Sequence, residues 1–382
     1  MSVGQTYPSE KEIFTDHQSG ATVHQLTNHR AHNHHFYFTN TGWYARGSKL
    51  LISSDRGNAT NLYSIELSSG ELTQLTDLAP LPLPREVEFL RACVNPTRDE
   101  TYFWYDLDLI ALDLTTLKSR VIFRMEEGWD VSMINCSADG AHVYASISED
   151  LSDRIRVDYL RGYVGFAETW EAKPLSRIVK AATDGSGGDT VFEEQYWIGH
   201  VNTSPTRPNI LTFCHEGPWH KVDNRIWGYD DETGNVWKIR EPKQEGENVG
   251  HEYWFANGDR IGYHGHLPDG SKHLGSCRYD DTDHIENSFP GLTGHIHSND
   301  EQLIVGDGGK VVRLWKWNGE AYQTPRVLCR HDSSAKIQQL HVHPRFSADN
   351  RQVVFTSDVS GYGNVYLVDV PDFDTLPEID ES

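Results

Sequence analysis

Histidine is the residue type whose placement could do chemistry in this chain. There are 20 histidines in 382 residues. Five of them, His200, His251, His295, His341 and His343, each lie a few residues ahead of a polar turn, at Ser204, Asn257, Asn299 and Ser347. His341 and His343 are spaced i, i+2, which on a strand points both rings to one face. Two imidazoles on one face and a third from a neighbouring repeat would form a metal cage, and Gln338 or Gln339 could add a carboxamide oxygen. No carboxylate or thiolate stands beside His295, His341 or His343 in the sequence. A neutral, nitrogen-rich donor set suits Mn²⁺, Fe²⁺, Ni²⁺ or Zn²⁺ better than Ca²⁺. The blander reading, hydrogen-bonding histidines in a wall, would win for one residue and loses weight when the placement recurs.

A second dense stretch is CHEGPWHKVDNRIW, residues 214–227, with His215, Glu216, His220, Asp223 and Arg225 close together. It reads as a loop between strands, either a solvated turn or a carrier of catalytic groups. Other chemistries lack their signatures: there is no GxSxG, no Walker loop and no HExxH.

The elements that must position these side chains follow from a repeat. About every 40–50 residues the chain runs through an apolar strand, a turn rich in Asp, Gly and Asn, a second apolar strand, a short loop and a third strand, the spacing of propeller blades. Residues 346–370, FSADNRQVVFTSDVSGYGNVYLVDV, are the clearest copy, and ARGSKLLISSDRGNATNLYSIEL from Ala45 is another. Further turns fall near Asn95, Ser137, Ser204, Asn257 and Asn299. Long helical periodicity is absent. The expected fold is all-β, a seven-bladed β-propeller forming a single domain over 1–382, against a competing two-domain all-β layout. An N-terminal strand, ATVHQLTN from Ala21, closes the last blade. A charged insertion at about 153–173 interrupts the third blade and is partly helical. In such a fold the strand leading into each turn is the innermost, so the five histidines would converge on a central channel.

Composition bounds the partners. Lys+Arg is 34 against 56 Asp+Glu, a net charge of −22, which argues against nucleic acid and against an anionic membrane surface. An anionic substrate would need a locally positive site. The 11 Trp and 17 Tyr suit blade packing and also carbohydrate binding. The five scattered cysteines form no CxxC and suggest no disulfide framework. No apolar run approaches a membrane span, so the expected location is the cytoplasm.

The residues also resemble a known family. FCHEGPWHKVDNRIW, EGENVGHEYWFANG, LIVGDG with the preceding HIHSN, and QQLHVHPRFSADNRQVVFTSD together resemble the oligogalacturonate lyases, a polysaccharide lyase family of seven-bladed propellers. The likeness is strongest from about Tyr196 to Asp358. It implies cleavage of short galacturonides by β-elimination, with an Mn²⁺-type metal held by His295, Gln338, His341 and His343. It places a general base at His251 and a substrate-stabilising arginine at Arg225, with His200, His215 and His32 as sugar contacts. Strand alternation alone would select Gln339, whereas the resemblance selects Gln338. The family's early His-Arg-Asn-Tyr-Phe stretch here reads His-Asn-His-His-Phe, residues 32–36, without the arginine.

The chemistry fits these residue types. The C5 proton of a uronide, α to its carboxylate, is a poor acid. A divalent cation and a guanidinium would neutralise the carboxylate, and a neutral imidazole would take the proton. The partner expected is therefore a uronic-acid oligosaccharide. The alternatives are a lyase for another uronide, such as ulvan or rhamnogalacturonan fragments, and a non-catalytic propeller that only binds.

Overall fold

The computed structural model describes residues 2–83 and 85–379. Its described residues form seven antiparallel sheets, which place the chain in the all-β, seven-bladed β-propeller class that the repeat predicts. Two compact units divide them. One falls within Met1–Leu81, Val87–Leu90 and Phe289–Ser382, the other within Pro82–Glu86 and Arg91–Ser288.

The first unit holds three sheets. One runs from Asn33–His34 and Trp43–Tyr44 through Lys49–Ser54, Asn61–Glu66 and Leu72–Gln74 to Thr6–Tyr7. Another is Ile296–His297, Leu303–Gly308, Val311–Lys316 and Arg326–Arg330. In the third, Arg345–Phe346, Gln352–Ser357 and Asn364–Asp369 are completed by the N-terminal strand Thr22–Gln25, which pairs with Asn364–Asp369. The closure from Ala21 onward is therefore present, and Glu12–Thr15 adds a fifth strand.

The second unit holds four sheets of four strands each, beginning with Cys93–Val94, Trp129–Cys136, Ile198–Thr203 and Asn248–Trp254. The expected insertion lies between His142–Glu149 and Ser176–Ala182, with one short helix, Phe166–Ala172. Middle strands are buried on both faces, as their unbroken apolar runs require. Ile261, Tyr263, Val249 and Cys277, for example, form one core with Ile226 and Ile239.

The recurring turn has a local cause. In the Ser137 turn, Asp139 accepts from Ser137 Oγ at 2.6 Å and from Ala141 N–H at 3.0 Å, and Ser137 Oγ accepts from His142 N–H at 3.0 Å. The Ser347 turn repeats this with Asp349, Arg351 and Gln352. Each turn needs one residue in the left-handed region, supplied by Gly140 (φ 71°) in one and Asn350 (φ 59°) in the other. This is why Gly and Asn recur at that point.

In three sheets of the second unit the first strand carries one extra residue. The ladder slips between Val131 and Ile134, between Ile198 and Val201, and between Gly250 and Tyr253. Two residues then face one on the partner strand, a β-bulge that re-aims side chains.

Candidate active site

The first unit brings together His295, His341 and His343. One ring nitrogen of each lies within 4.8 Å of the others, and the His295 and His343 ring centroids are 4.3 Å apart. The route to this trio differs from the expected strand. Gln338–Leu340 is a single 3-10 turn, His341 is extended at φ −64°, and His343 is left-handed at φ 46°. The strand proper starts only at Arg345. A histidine held left-handed costs about 1–3 kcal/mol, a strain found where a side chain must be aimed.

Asp307 fixes the third ring. Its Oδ1 accepts the His295 backbone N–H at 2.6 Å and its Oδ2 sits 3.1 Å from His295 Nδ1, the carboxylate support that metal-ligating imidazoles commonly have. Burial alone would raise the Asp307 carboxyl, but His295 and His331 outweigh it and hold it below the usual carboxylate range. Burial, helped by His295, pushes His341 down to about 4, so its imidazole is neutral and its lone pair is available to a cation at pH 7. Tyr37 and Phe38 wall the trio, with ring centroids 4.8 Å from His343 and 5.3 Å from His295 respectively. Three imidazoles, one oriented by a carboxylate, fit a divalent transition metal. Asp307→Asn is expected to weaken metal affinity roughly 10–100-fold, read by titration of the metal-free protein; unchanged affinity would remove Asp307 from the metal's support.

The two glutamines stand differently from the strand expectation. Alternation along a strand does not govern a 3-10 turn, so strand geometry does not favour Gln339 over Gln338. Gln339 Oε1 is buried without a hydrogen-bond partner among the described residues, and Gln338 is half-buried on the same turn. Of the early stretch, His32 Nδ1 accepts from Gly363 N–H at 3.0 Å. His34 and His35 are buried, each with one ring nitrogen on a backbone carbonyl, and burial pushes His35 down to about 3.

The second unit brings together His200, Glu216, Trp219, Arg225, His251, Glu252 and His264. His251 and Glu252 are the paired bulge residues facing Tyr263, and His251 is left-handed at φ 51°. In the sheet before, Gly199 and His200 face Cys214 in the same way. His200 is therefore aligned with Glu252 and not with His251, which corrects the expectation of matching blade positions. His251 Nδ1 is 2.8 Å from His264 Nε2. Trp219 meets both imidazoles edge-on, at centroid distances of 4.9 and 5.8 Å.

Arg225 is 5% exposed and donates from Nη1 to Glu216 at 2.7 Å and from Nε to Glu252 at 3.4 Å. Burial opposes its charge, and neighbouring Cys214, Glu216 and Glu252 more than offset that. Burial also works upward on Glu216, yet Arg225 and His200 hold it low. A cation facing two carboxylates is not the bare positive charge that the sequence suggests. His200 Nε2 lies 3.5 Å from Glu216, and burial lowers its pKa.

His215 differs from its expected role as a sugar contact. It is 1% exposed, with Nδ1 on Asp223 at 2.6 Å, Nε2 on Glu194 at 3.1 Å and its face stacked on Tyr196 at 3.9 Å. Both ring nitrogens are committed to carboxylates, so neither can donate to a sugar. Burial would lower this imidazole, but Asp223 and Glu194 together raise its pKa. A raised histidine contributes stability that is full below its unfolded pKa and is lost as pH rises through the folded value. The melting temperature lost on His215→Leu should therefore be larger at pH 6 than at pH 9, by a difference on the order of a few degrees. A pH-independent loss would show that the carboxylates do not act through its charge.

Sequence inspection missed Asp307, Tyr37, Phe38, Trp219, Glu252 and His264. Hairpin partnership was the available signal for two of them. Asp307 follows Gly306, which pairs with Ile296, and so lies across from His295. His264 pairs with Gly250, next to His251.

A seven-bladed propeller carrying a histidine trio, two of its rings buried and one half-buried, is the class that fold and site define. A family model described as oligogalacturonate lyase matches residues 1–324, and the chain belongs to that family. The oligogalacturonide lyase of Pectobacterium atrosepticum and the oligogalacturonate lyase of Dickeya dadantii are each 27% identical to it, over 97% of this chain and 99% of theirs. A solved oligogalacturonate lyase in complex with manganese is similar at a TM-score of 0.87 and 26% identity, over 97% of this chain and 99% of its own. That of Vibrio parahaemolyticus shares the fold at a TM-score of 0.85.

Proposed function

We propose that this chain cleaves short oligogalacturonides by β-elimination, giving unsaturated uronate products in pectin breakdown. The observation that carries the reading is the His295–His341–His343 trio in a chain of this family. These three residues would hold a divalent cation with Gln338 as fourth ligand, Mn²⁺ being the choice because a similar structure is described with manganese. Gln339, with its unpartnered buried oxygen, is the rival fourth ligand, and comparing metal affinity in Gln338→Ala and Gln339→Ala decides between them. A bound cation supplies Lewis acidity towards the uronate carboxylate.

His251 is the proposed base for the C5 proton, with Nε2 the nitrogen that takes it, since Nδ1 is engaged by His264. Arg225 is the proposed carboxylate or ring-oxygen contact. Two of its five N–H donors are committed to glutamates, so three remain for substrate. The glutamates hold the guanidinium in place, and that fixed orientation is what a bidentate contact needs. His200 and His32 are proposed sugar contacts. The five cysteines are all buried and unpaired, which favours a reducing compartment, and we assign the protein to the cytoplasm on that ground. No helix is long and apolar enough to cross a membrane among the described residues.

Digalacturonate incubated with the purified protein and Mn²⁺ should give a product with the ultraviolet absorbance of a C4–C5 unsaturated uronide. Saturated monomers alone would make the protein a hydrolase, and binding without turnover would make it a recognition module.

A further inference from the structure

We propose that His264 is a positioning residue for the reaction: its Nε2 accepts the Nδ1–H of His251 and so holds the base in the tautomer that carries its lone pair on Nε2. The inference deepens the reading of His251 as the base and rests on it.

A neutral imidazole has one N–H and one lone pair, and an unrestrained ring exchanges them between its two nitrogens. Only the Nδ1–H form can take a proton at Nε2. Which form is present is set by the hydrogen bond that the other nitrogen makes. Here that partner is specific. His251 Nδ1 and His264 Nε2 are 2.8 Å apart, with ring centroids at 5.0 Å and planes inclined by 29°.

The surrounding structure fixes both rings. His264 is buried on the regular strand Arg260–His266, directly across the ladder from Gly250. His251 is the next residue, thrown out of alternation by the bulge and turned left-handed. A strand without the bulge would send residues 250 and 251 to opposite faces, so the extra residue is what lets the imidazole meet its neighbour across the ladder. Trp219 abuts both rings and packs on residue 250, where a Cβ would stand 2.4 Å from the indole. Glycine at 250 thus makes room for the indole that confines the pair.

When His251 takes the substrate proton at Nε2 it becomes an imidazolium. Its Nδ1–H then donates to a neutral imidazole, an interaction that strengthens as the charge develops. His264 keeps its own proton on Nδ1 throughout, and the accepted proton stays on His251 Nε2 until solvent removes it.

The test reads the tautomer and the kinetics separately. In protein labelled with ¹⁵N-histidine, signals absent from His251→Ala and from His264→Gln spectra assign the two rings. We expect His251 protonated at Nδ1 and bare at Nε2 at neutral pH, without any need for substrate or metal; a proton on Nε2 overturns the proposal. In turnover, His264→Leu should lower kcat roughly 10–100-fold with KM little changed, the size of effect expected when a buried donor loses its acceptor. His264→Gln, whose Oε1 can accept the same N–H, should recover most of that loss. A glutamine variant as slow as the leucine one, or an effect on KM alone, overturns the proposal. Should the leucine variant fail to fold, the wild-type nitrogen shifts and the glutamine variant still decide. If His251→Ala keeps full turnover while the tautomer is as expected, the base assignment fails and the pair remains a structural feature.

Discussion

Replacing His251 by alanine should lower kcat by about 10²–10⁴-fold, the range that a positioned general base contributes, while leaving metal content unchanged. The metal trio draws on His295, His341 and His343 in one unit, and His251 sits in the other. The loss should fall on kcat and kcat/KM together, since proton transfer occurs only in the transition state. Backbone strain provides a control. His251 is left-handed at φ 51°, so alanine there keeps the strain that glycine relieves, a difference of roughly 1 kcal/mol in stability. His251→Gly should therefore melt no lower than His251→Ala and be equally inactive, which separates loss of the base from loss of fold. Metal analysis of both variants completes the measurement. If either loses its metal, His251 is a ligand and the base lies elsewhere.

The fold was legible because its repeating signal is local. A Ser-x-Asp turn such as Ser137–Asp139 or Ser347–Asp349 makes its own hydrogen bonds within a few residues, so its identity survives in the sequence whatever packs around it. Closure by the strand from Ala21 was legible for a related reason, since the last sheet otherwise lacked a fourth apolar strand. The bulges were not legible. An extra residue in a ladder is defined against the partner strand, and Gly250–Tyr253 carries no mark of it in its own residues. Counting back from the turns therefore put His200 and His251 in one class, whereas pairing puts His200 with Glu252.

The site was legible in part, and along the same line. The i, i+2 spacing of His341 and His343 pointed to a shared cage, and the rings do meet, but through a left-handed backbone and not a strand. Groups that act through a hairpin partner were hidden. Asp307 is twelve positions after His295, and His264 thirteen after His251, yet each is one ladder step away. Charge was hidden most of all. Only tertiary structure brings Arg225 against Glu252, which lies on the first strand of the following sheet. The dense loop at 214–227 held two outcomes that sequence could not separate. Arg225 and Trp219 join the histidine pair, while His215 is spent on Asp223 and Glu194.

Exhaustive chelation should reduce turnover to background, and Mn²⁺ should restore it where Ca²⁺ does not. The donor set decides the selectivity. Three imidazole nitrogens suit a divalent transition cation, whereas Ca²⁺ prefers six to eight oxygens. Protons are weak competitors for the His341 lone pair at pH 7, because burial and His295 push its imidazole down to about 4. Binding should also be visible without substrate. A cation that binds only the folded chain stabilises it by about 2.7 kcal/mol at a hundredfold excess over its Kd, so Mn²⁺ should raise the melting temperature of the metal-free protein. His341→Ala removes one of three nitrogens and should abolish both the thermal shift and the restored turnover. His251→Ala should keep the thermal shift and lose only the turnover. That contrast separates the two clusters in a single pair of measurements: the trio governs metal-linked stability, and the base governs rate alone. Full activity after exhaustive chelation, confirmed by metal analysis, would sink the metal's role and leave the trio without a function in the reaction.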